Sequence, residues 1–211
     1  MVSYLERRDW RIERTGAGMD DAQLQAQTEA YYLALGRFIH MFGRAEDSLN
    51  AEIASLAAHS LKESPNAFKV SRALLGSQTL KFSADTLKIL LRILNFPKQR
   101  QDDAGKILGQ FSEIGKIRNK IVHHGAYGIF DSDYRSVGPT VVKEDKDHKH
   151  FYINSKILNA ASRDLEIIPT RLSMCITPEV NQAVLKAPAD YVKDIVGPWH
   201  YKPMDILKPP S

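Results

Sequence analysis

The sequence predicts a mainly α protein: an antiparallel up-and-down bundle of four to five helices, with a small β-hairpin or flap inserted after the third helix. Two observations favour the helices, because long segments lack proline and their apolar residues recur every three to four positions. A third favours the flap: residues 126–155 are enriched in Tyr, Val, Ile and Phe between turn-like clusters. Hydrophobic residues make up 43% of the chain and charged residues 26%, which is typical of one globular domain.

The first predicted helix is the longest and spans residues 21–62, after a polar N-terminal arm at residues 1–19. The segment contains no proline, and Asp20 or Asp21 is well placed to cap its first turn. Its apolar stripe comprises Leu35, Phe38, Phe42, Ala45, Leu49, Ile53 and Leu56. A helix of about 40 residues far exceeds the usual length of ~12, so neighbouring helices must cover this stripe.

Three further segments show the same helical spacing. Residues 68–95 and 101–124 are the second and third predicted helices, joined by the polar connection "NFPKQRQDD" at 95–103. A fourth helix is predicted over residues 155–176, where Pro169 is expected to kink the helix or to end it early. The apolar positions of the second and third helices are Leu80, Ala84, Leu87, Leu91, Leu94, Ile107, Leu108, Phe111, Ile114, Ile117, Ile121 and Val122.

The remaining segments are predicted to be non-helical. Residues 126–155 form the β flap, with the charged run "KEDKDHKH" as its exposed loop. Residues 186–211 are rich in proline and are expected to form an irregular tail that packs along the surface through Trp199 and Tyr201. The helical domain is therefore placed at residues 20–185, with the flap as an insertion.

Charge and cysteine content narrow the functional classes. The formal net charge of +4 and the pI of about 9.1 permit nucleic-acid contact without requiring it. No apolar run approaches the ~18 residues of a membrane span, and the charged N-terminus does not resemble a signal peptide. With Cys175 as the single cysteine, an internal disulfide is excluded and we expect a cytoplasmic protein. No metal or other cofactor is expected, because His148 and His150 lie among lysines.

The segment "KIRNKIVHHG", residues 116–125, ends the third predicted helix and is the main functional candidate. Asn119 and His123 are four residues apart and share a helix face, and the long side chain of Arg118 reaches past the boundary of that face. Histidine can take the 2′-hydroxyl proton of RNA, and arginine can hold a phosphate through two parallel hydrogen bonds. Asparagine can orient the imidazole. Such a set can cleave RNA without a metal, leaving a 2′,3′-cyclic phosphate and a 5′-hydroxyl.

The same residues also have a purely structural interpretation. Arg118 and His123 can bind the last carbonyls of the helix and pair with an acid on a neighbouring helix. Because arginine and histidine at this spacing are common by chance, the spacing alone favours the structural role.

Four nearby residues are candidate supporting residues. Lys116 and Lys120 lie four apart on the third helix and can contact RNA phosphates, or can form part of a solvated face. His124 can bind phosphate, replace His123 or be simply solvated. Glu46 on the first helix can pair with Arg118 and set its orientation, or can form an ordinary surface ion pair of little energetic value.

The stretch "RNKIVHHG" resembles the signature of the HEPN superfamily (higher eukaryotes and prokaryotes nucleotide-binding). Its ribonuclease members carry Arg, a polar residue that is often Asn, three variable residues and then His, which Arg118, Asn119 and His123 match position for position. "RFIHMFGRAEDSLN" at 37–50 is similar to a first HEPN helix, and the resemblance covers residues 21–176. It implies a four- or five-helix bundle that dimerises, so that two facing motifs form one composite active site.

What the family does sets the functional hypotheses. HEPN members occur in toxin–antitoxin pairs, phage defence and RNA processing, whereas others have lost activity and act as binding or scaffold modules. This chain departs from the family at Gly125, where one toxin group has a tyrosine two residues after the histidine that its partner adenylylates, and at His124, where the residue is commonly small.

We therefore expect a homodimeric, metal-independent endoribonuclease that acts on RNA, with an antitoxin or defence protein as a further partner. Arg118 would hold the phosphate, Asn119 would orient the histidine and His123 would transfer the proton. Two alternatives stay open. One is a non-catalytic HEPN-like module that dimerises and binds RNA, a nucleotide or a partner protein. The other is a helical interaction protein in which the motif is only a helix end.

Overall fold

A computed structural model of the protein describes residues 21–60, 79–124 and 153–203, and within these ranges the chain forms helices and no strand. The helices are α1 (Asp21–Ser60), α2 (Leu80–Ile93), α3 (Lys98–His124), α4 (Ser155–Ile176), α5 (Pro178–Leu185) and α6 (Ala189–Val196). The predicted mainly α class is confirmed. The N-terminal arm and the flap up to position 152 lie outside the described residues, and Ile153 and Asn154 lead into α4. None of the described helices has an apolar stretch that could cross a membrane.

The core lies along one face of α1. The 3–4 spacing of its apolar residues predicts this face, and the structure buries it against α2, α3 and α4. The fully or nearly fully buried residues of these four helices include Phe38, Phe42, Ala45, Leu49, Ile53, Leu87, Leu91, Leu108, Phe111, Ile114, Ile117, Leu158, Ala161, Leu165, Ile168 and Leu172. Burying such side chains contributes roughly 1.5–3 kcal/mol each, so this stripe is the main source of stability for α1.

The directions of the helices follow from paired contacts. On α1, Arg37 contacts Glu166 and Glu52 accepts a hydrogen bond from Ser173, so α1 and α4 run the same way. α3 runs against α4, because Gln110 meets Asp164 while the earlier residue Asp103 lies near the later residue Cys175. α2 and α3 are also antiparallel, since Leu80 at the start of α2 contacts Gly115 near the end of α3. Thus α2, α3 and α4 alternate in direction.

The connection between α2 and α3 is shorter than the sequence predicts, because α3 begins at Lys98 instead of residue 101. Asn95 takes a left-handed conformation (φ 54°), and the amides of Asn95 and Phe96 donate to the carbonyls of Arg92 and Leu91. This pair of hydrogen bonds is a Schellman ending, which stops α2 within two residues. Pro97 follows, and its fixed φ starts the next helix at once.

Pro169 neither ends α4 nor separates it into two helices. The helix runs from Ser155 to Ile176 with Pro169 inside it, so the expected early ending is wrong. A proline inside a helix costs ~3 kcal/mol or more, because it removes one backbone hydrogen bond and crowds the preceding turn. Ile168 and Leu172 on either side are fully buried, and their burial offsets that cost.

The C-terminal segment is ordered over most of its described length, so the prediction of an irregular tail over residues 186–211 is wrong for 189–196, which form α6. Its prolines bound the helix instead of breaking it: Pro188 stands at the N-cap of α6 and Pro198 follows its end. The predicted packing through Trp199 and Tyr201 is confirmed, since Tyr201 is 2% exposed and Trp199 packs against the core.

A buried carboxylate on α4 holds this segment in place. Asp164 is fully buried, and its Oδ1 accepts the amide of His200 at 2.8 Å, while Oδ2 accepts the amide of Tyr201 at 3.0 Å. Gln110 on α3 donates from Nε2 to the same Oδ2 at 2.8 Å and to the carbonyl of Tyr201 at 3.0 Å. The carboxylate is therefore satisfied by three N–H donors, which is the condition for burying a charge.

A second anchor comes from Arg171, seven residues further along α4. Its guanidinium lies 3.9 Å from the ring centre of Trp199 and donates to the carbonyls of Ile195 and Gly197, the latter at 2.6 Å. These are carbonyls at the C-terminus of α6, where positive charge is favoured. Burial lowers the pKa of Arg171, while Asp164 raises it. Together, Asp164 and Arg171 tie residues 189–201 to the bundle.

We predict that Asp164→Asn lowers the free energy of unfolding by about 2–4 kcal/mol, because an amide group then faces an N–H donor inside the protein. Urea denaturation followed by circular dichroism measures the loss, and hydrogen exchange at His200 and Tyr201 should show reduced protection. The matched control is Asp102→Asn, which removes only the exposed ion pair to Lys98 (2.8 Å) and should cost less than about 1 kcal/mol. Equal losses in the two variants would contradict the anchoring role.

Candidate functional site

The motif lies on the last two turns of α3, where the apolar residues fix which side chains face outward. Ile114, Gly115, Ile117 and Ile121 are buried in the core, so Lys116 and residues 118–120 lie at the edge or on the surface. Arg118 is half-buried, while Asn119 and Val122 are exposed, Val122 by 53%. The predicted placement of the motif at the end of the third helix is confirmed, and its outer face is accessible to solvent.

Arg118 is held by contacts with α1 and with its own neighbour. Its guanidinium carbon lies 5.8 Å from the ring centre of Phe42, which is within the range of a cation–π interaction. Its Nη1 donates to Oδ1 of Asn119 at 3.2 Å. Phe42 is itself fixed, because its ring packs 5.3 Å from that of Phe111. The arginine is thus positioned by the core below it and by the amide beside it.

Asn119 makes one contact that the sequence analysis did not anticipate, since its oxygen accepts a hydrogen bond from Arg118. The expected contact of its amide with the imidazole of His123 stays a prediction. The backbone of α3 continues through His123 and His124, which places His123 one turn beyond Asn119. The side chains of His123 and His124 lie outside the described part of the structure.

Glu46 interacts electrostatically with Arg118, although no hydrogen bond or ion pair joins the two among the described contacts. Glu46 is half-buried, and burial raises its pKa above the ordinary 4.5, while Arg118 lowers it and Asp47 raises it. Because desolvation is the largest of these effects, the carboxylate is under-compensated by the arginine. Glu46 therefore sits within electrostatic reach of Arg118 without neutralising it.

Phosphate contact by the two candidate lysines stays a prediction, and each lysine already has an interaction within the protein. Lys116 is exposed and pairs with Glu113 at 2.6 Å on the same helix, so part of its charge is already compensated. Lys120 is half-buried and has a partner of its own. Elsewhere, burial raises the pKa of the Cys175 thiol to about 11, which favours the protonated thiol at neutral pH and fits a structural cysteine. In the parts of the chain that the structure covers, no three His, Cys, Asp or Glu side chains are arranged to hold a metal ion.

Two groups of residues escaped the sequence reasoning. The Asp164–Gln110–Arg171 anchor has a signal in the sequence, because charged residues seven apart interrupt the apolar stripe of α4. The second group is a basic cleft, formed by Arg37, Lys156, Arg163 and His200. It carries no sequence signal, since its members come from three distant segments.

No protein-family model, curated protein or solved structure matches this chain. The likeness to HEPN proteins therefore rests on the motif and on the helical pattern around it.

We predict that Glu46→Gln raises the free energy of unfolding slightly near pH 7, by at most about 0.5 kcal/mol, because the half-buried charge is lost. The folded-state pKa of Glu46 is raised, so the ionised carboxylate destabilises the fold at pH values above that pKa. Well below pH 4.5 the side chain is protonated in both the folded and the unfolded state and has no such effect. The advantage of the variant should therefore disappear as the pH falls through this range.

Urea titrations of wild type and variant between acid and neutral pH measure this difference. Glu113→Gln is the control, because it removes a surface ion pair and should be neutral or slightly destabilising at pH 7. A stability loss in Glu46→Gln at pH 7 would mean that the attraction to Arg118 outweighs the burial of the carboxylate.

Proposed function

We propose that this protein is a metal-independent endoribonuclease of the HEPN type, in which Arg118 binds the phosphate that is attacked. The observation that carries the proposal is the position of the Arg118 guanidinium. It is half-buried between Phe42 and Asn119, and no described carboxylate forms an ion pair with it. An arginine fixed in this way loses little side-chain entropy on binding and offers N–H groups that suit a phosphate.

The chemistry needs a base next to that phosphate, and His123 follows one turn later on the same helix. The five residues from Arg118 to His123 rise about 7.5 Å along the axis, and in this proposal the imidazole at position 123 acts on the nucleotide that Arg118 holds. In the proposed reaction the imidazole takes the 2′-hydroxyl proton and the 2′-oxygen attacks phosphorus. The 5′-oxygen then leaves with a proton from an acid. The products are a 2′,3′-cyclic phosphate and a 5′-hydroxyl end.

Asn119 acts as a positioning residue in this proposal. Its carbonyl oxygen accepts from Arg118, which fixes the direction of the guanidinium. Glu46 lies within electrostatic range of Arg118 but, in the described part of the chain, forms no ion pair with it. The N–H groups of Arg118 that are not bonded to Asn119 can therefore bind a ligand. Lys116 can contribute only if its ion pair with Glu113 opens, and that pair is exposed and weak.

A homodimer would supply both proton transfers. One motif offers one base, whereas two facing motifs would offer a base and an acid on opposite sides of the scissile bond. The exposed Val122 supports this arrangement, because it places an apolar side chain in the last turn of α3, one turn after the exposed Asn119. Such a residue gains from contact with a second copy of the chain.

We predict that the protein cleaves single-stranded RNA in excess chelator, and that His123→Ala and Arg118→Ala each lower the rate about 100-fold or more. Arg118→Lys should remain impaired, because an ammonium cannot reproduce the two parallel hydrogen bonds. Gel analysis of a 5′-labelled RNA, with acid treatment of the cyclic ends, measures rate and product together.

The matched control is Arg92→Ala, which removes an exposed arginine on α2, away from the motif, and should cleave at the wild-type rate. Cleavage that is equal in His123→Ala and wild type would refute the catalytic role. Binding of RNA that depends on Arg118 without any cyclic product would instead identify a non-catalytic binding module.

A second prediction concerns assembly: Val122→Glu should weaken self-association about tenfold or more, because a charge would be buried at the contact. Light scattering coupled to size-exclusion chromatography measures this across protein concentrations, and the RNA cleavage rate should fall in parallel. Ile89→Glu, which alters a similarly exposed residue on α2 (50% exposed), is the control and should leave both quantities unchanged. A monomeric wild type that cleaves RNA would contradict the composite site.

A further inference from the structure

A second basic surface lies apart from the motif, where the first half of α4 meets α1 and the C-terminal segment. It is a cleft of about 630 Å³. Its lining consists of Arg37, Ser155, Lys156, Asn159, Ala160, Arg163 and His200. Apart from Ala160, every one of these side chains is polar or charged, so the cleft is suited to a hydrophilic ligand and not to an apolar one.

The charged side chains that line the cleft are all basic, and the one carboxylate of the described chain that pairs with them is Glu166, which is outside the lining. Arg37 pairs with Glu166 at 2.6 Å, but both side chains are well exposed, at 47% and 38%, so solvent screens this pair. Among the described residues, Lys156 and Arg163 form no ion pair, and both are exposed. Asp164 is adjacent in sequence but is buried and fully engaged with backbone and amide N–H groups. The cleft therefore retains a net positive charge.

The basic groups are held by rigid elements. Lys156, Asn159 and Arg163 lie at spacings of three and four on α4, so they share one face of that helix. Arg37 comes from the middle of α1, whose interface with α4 is extensive. His200 is fixed because its own amide donates to Asp164 at 2.8 Å. Three separate segments thus converge on one cleft without the need for a loop to close.

We propose that this basic cleft binds a phosphate group, carried by a nucleotide or by an RNA strand. Arginine and lysine supply charge-assisted hydrogen bonds to phosphate oxygens, and the Ser155 hydroxyl and Asn159 amide add neutral donors. The open shape of the cleft admits a chain that continues beyond one phosphate. The proposal does not depend on catalysis at Arg118, because it concerns different residues, which lie against a different side of α1.

Binding of two probes tests the proposal: a fluorescein-labelled 2′-O-methyl RNA of mixed sequence, which cannot be cleaved through its 2′-oxygen, and ADP. For whichever of the two probes wild type binds, the double variant K156A/R163A should bind at least about tenfold more weakly. The charge-matched control K186A/K193A removes two exposed lysines outside the cleft lining, one at the C-cap of α5 and one on α6, and should bind like wild type.

The salt dependence gives an independent readout. Each phosphate contact on a single strand contributes about 0.7 to the slope of log affinity against log salt, so K156A/R163A should lower the slope for RNA by about 1.4. A loss confined to ADP assigns the cleft to a nucleotide, whereas a loss for RNA assigns it to a strand. Circular dichroism confirms that the variants are folded.

Glu166→Gln provides a test of opposite sign. The substitution releases Arg37 from its carboxylate partner, so binding of the same probe should become several-fold tighter. The proposal is overturned if wild type binds neither probe, if K156A/R163A and K186A/K193A bind equally, or if Glu166→Gln leaves the affinity unchanged. Each result is separate from RNA cleavage, which is measured on the Arg118 and His123 variants.

Discussion

The packing of Phe42 between α1 and α3 is the contact on which the core and the candidate site both depend. Its ring lies 5.3 Å from that of Phe111 and 6.2 Å from that of Phe38, and it is 4% exposed. Gly115 lies beside this ring, and its missing Cβ admits Leu80 of α2, because a Cβ there would lie 3.0 Å from the Leu80 side chain but at an ordinary 3.8 Å from Phe42. On its outer side the same ring supports Arg118. A change in how α1 packs on α3 would therefore move the guanidinium, so the position of Arg118 is coupled to the hydrophobic core.

Asp164 has a similar connecting role on the other side of the bundle. A buried carboxylate contributes little net stability by itself, since its desolvation cost is large. Its three N–H donors offset that cost, and two of them belong to the backbone of the C-terminal segment. The main effect of the buried Asp164 carboxylate is therefore to fix the position of residues 199–201, despite its desolvation cost. One consequence is that His200 is placed beside Arg163, so the anchor that orders the segment also builds the basic cleft.

Periodicity predicts the helices well because burial of one stripe is a property of each helix alone. It placed the core residues of α1, α3 and the first half of α4, and it located Arg118 at a helix end. Periodicity gave wrong predictions where contacts between residues distant in the sequence determine the local structure. Pro169 stays helical because of the burial around it, and α6 forms in a proline-rich segment because Arg171 binds its terminal carbonyls. The contact between Arg118 and Phe42, and the cleft drawn from three segments, depend on tertiary packing that no local pattern encodes.

The two basic surfaces lie at the same end of the bundle. Gln110 meets Asp164 across the antiparallel pair of α3 and α4; Arg118 follows Gln110 by eight residues, and Lys156 precedes Asp164 by eight. At 1.5 Å per residue, each lies about 12 Å from that contact in the same direction along the bundle. They face different sides of α1, since Phe42 faces α3 while Arg37 reaches towards α4. A strand that contacts both surfaces therefore passes around one helix and not along the bundle. If both proposals hold, this geometry would let one RNA molecule contact the cleft and the motif, with separate residues for the two contacts.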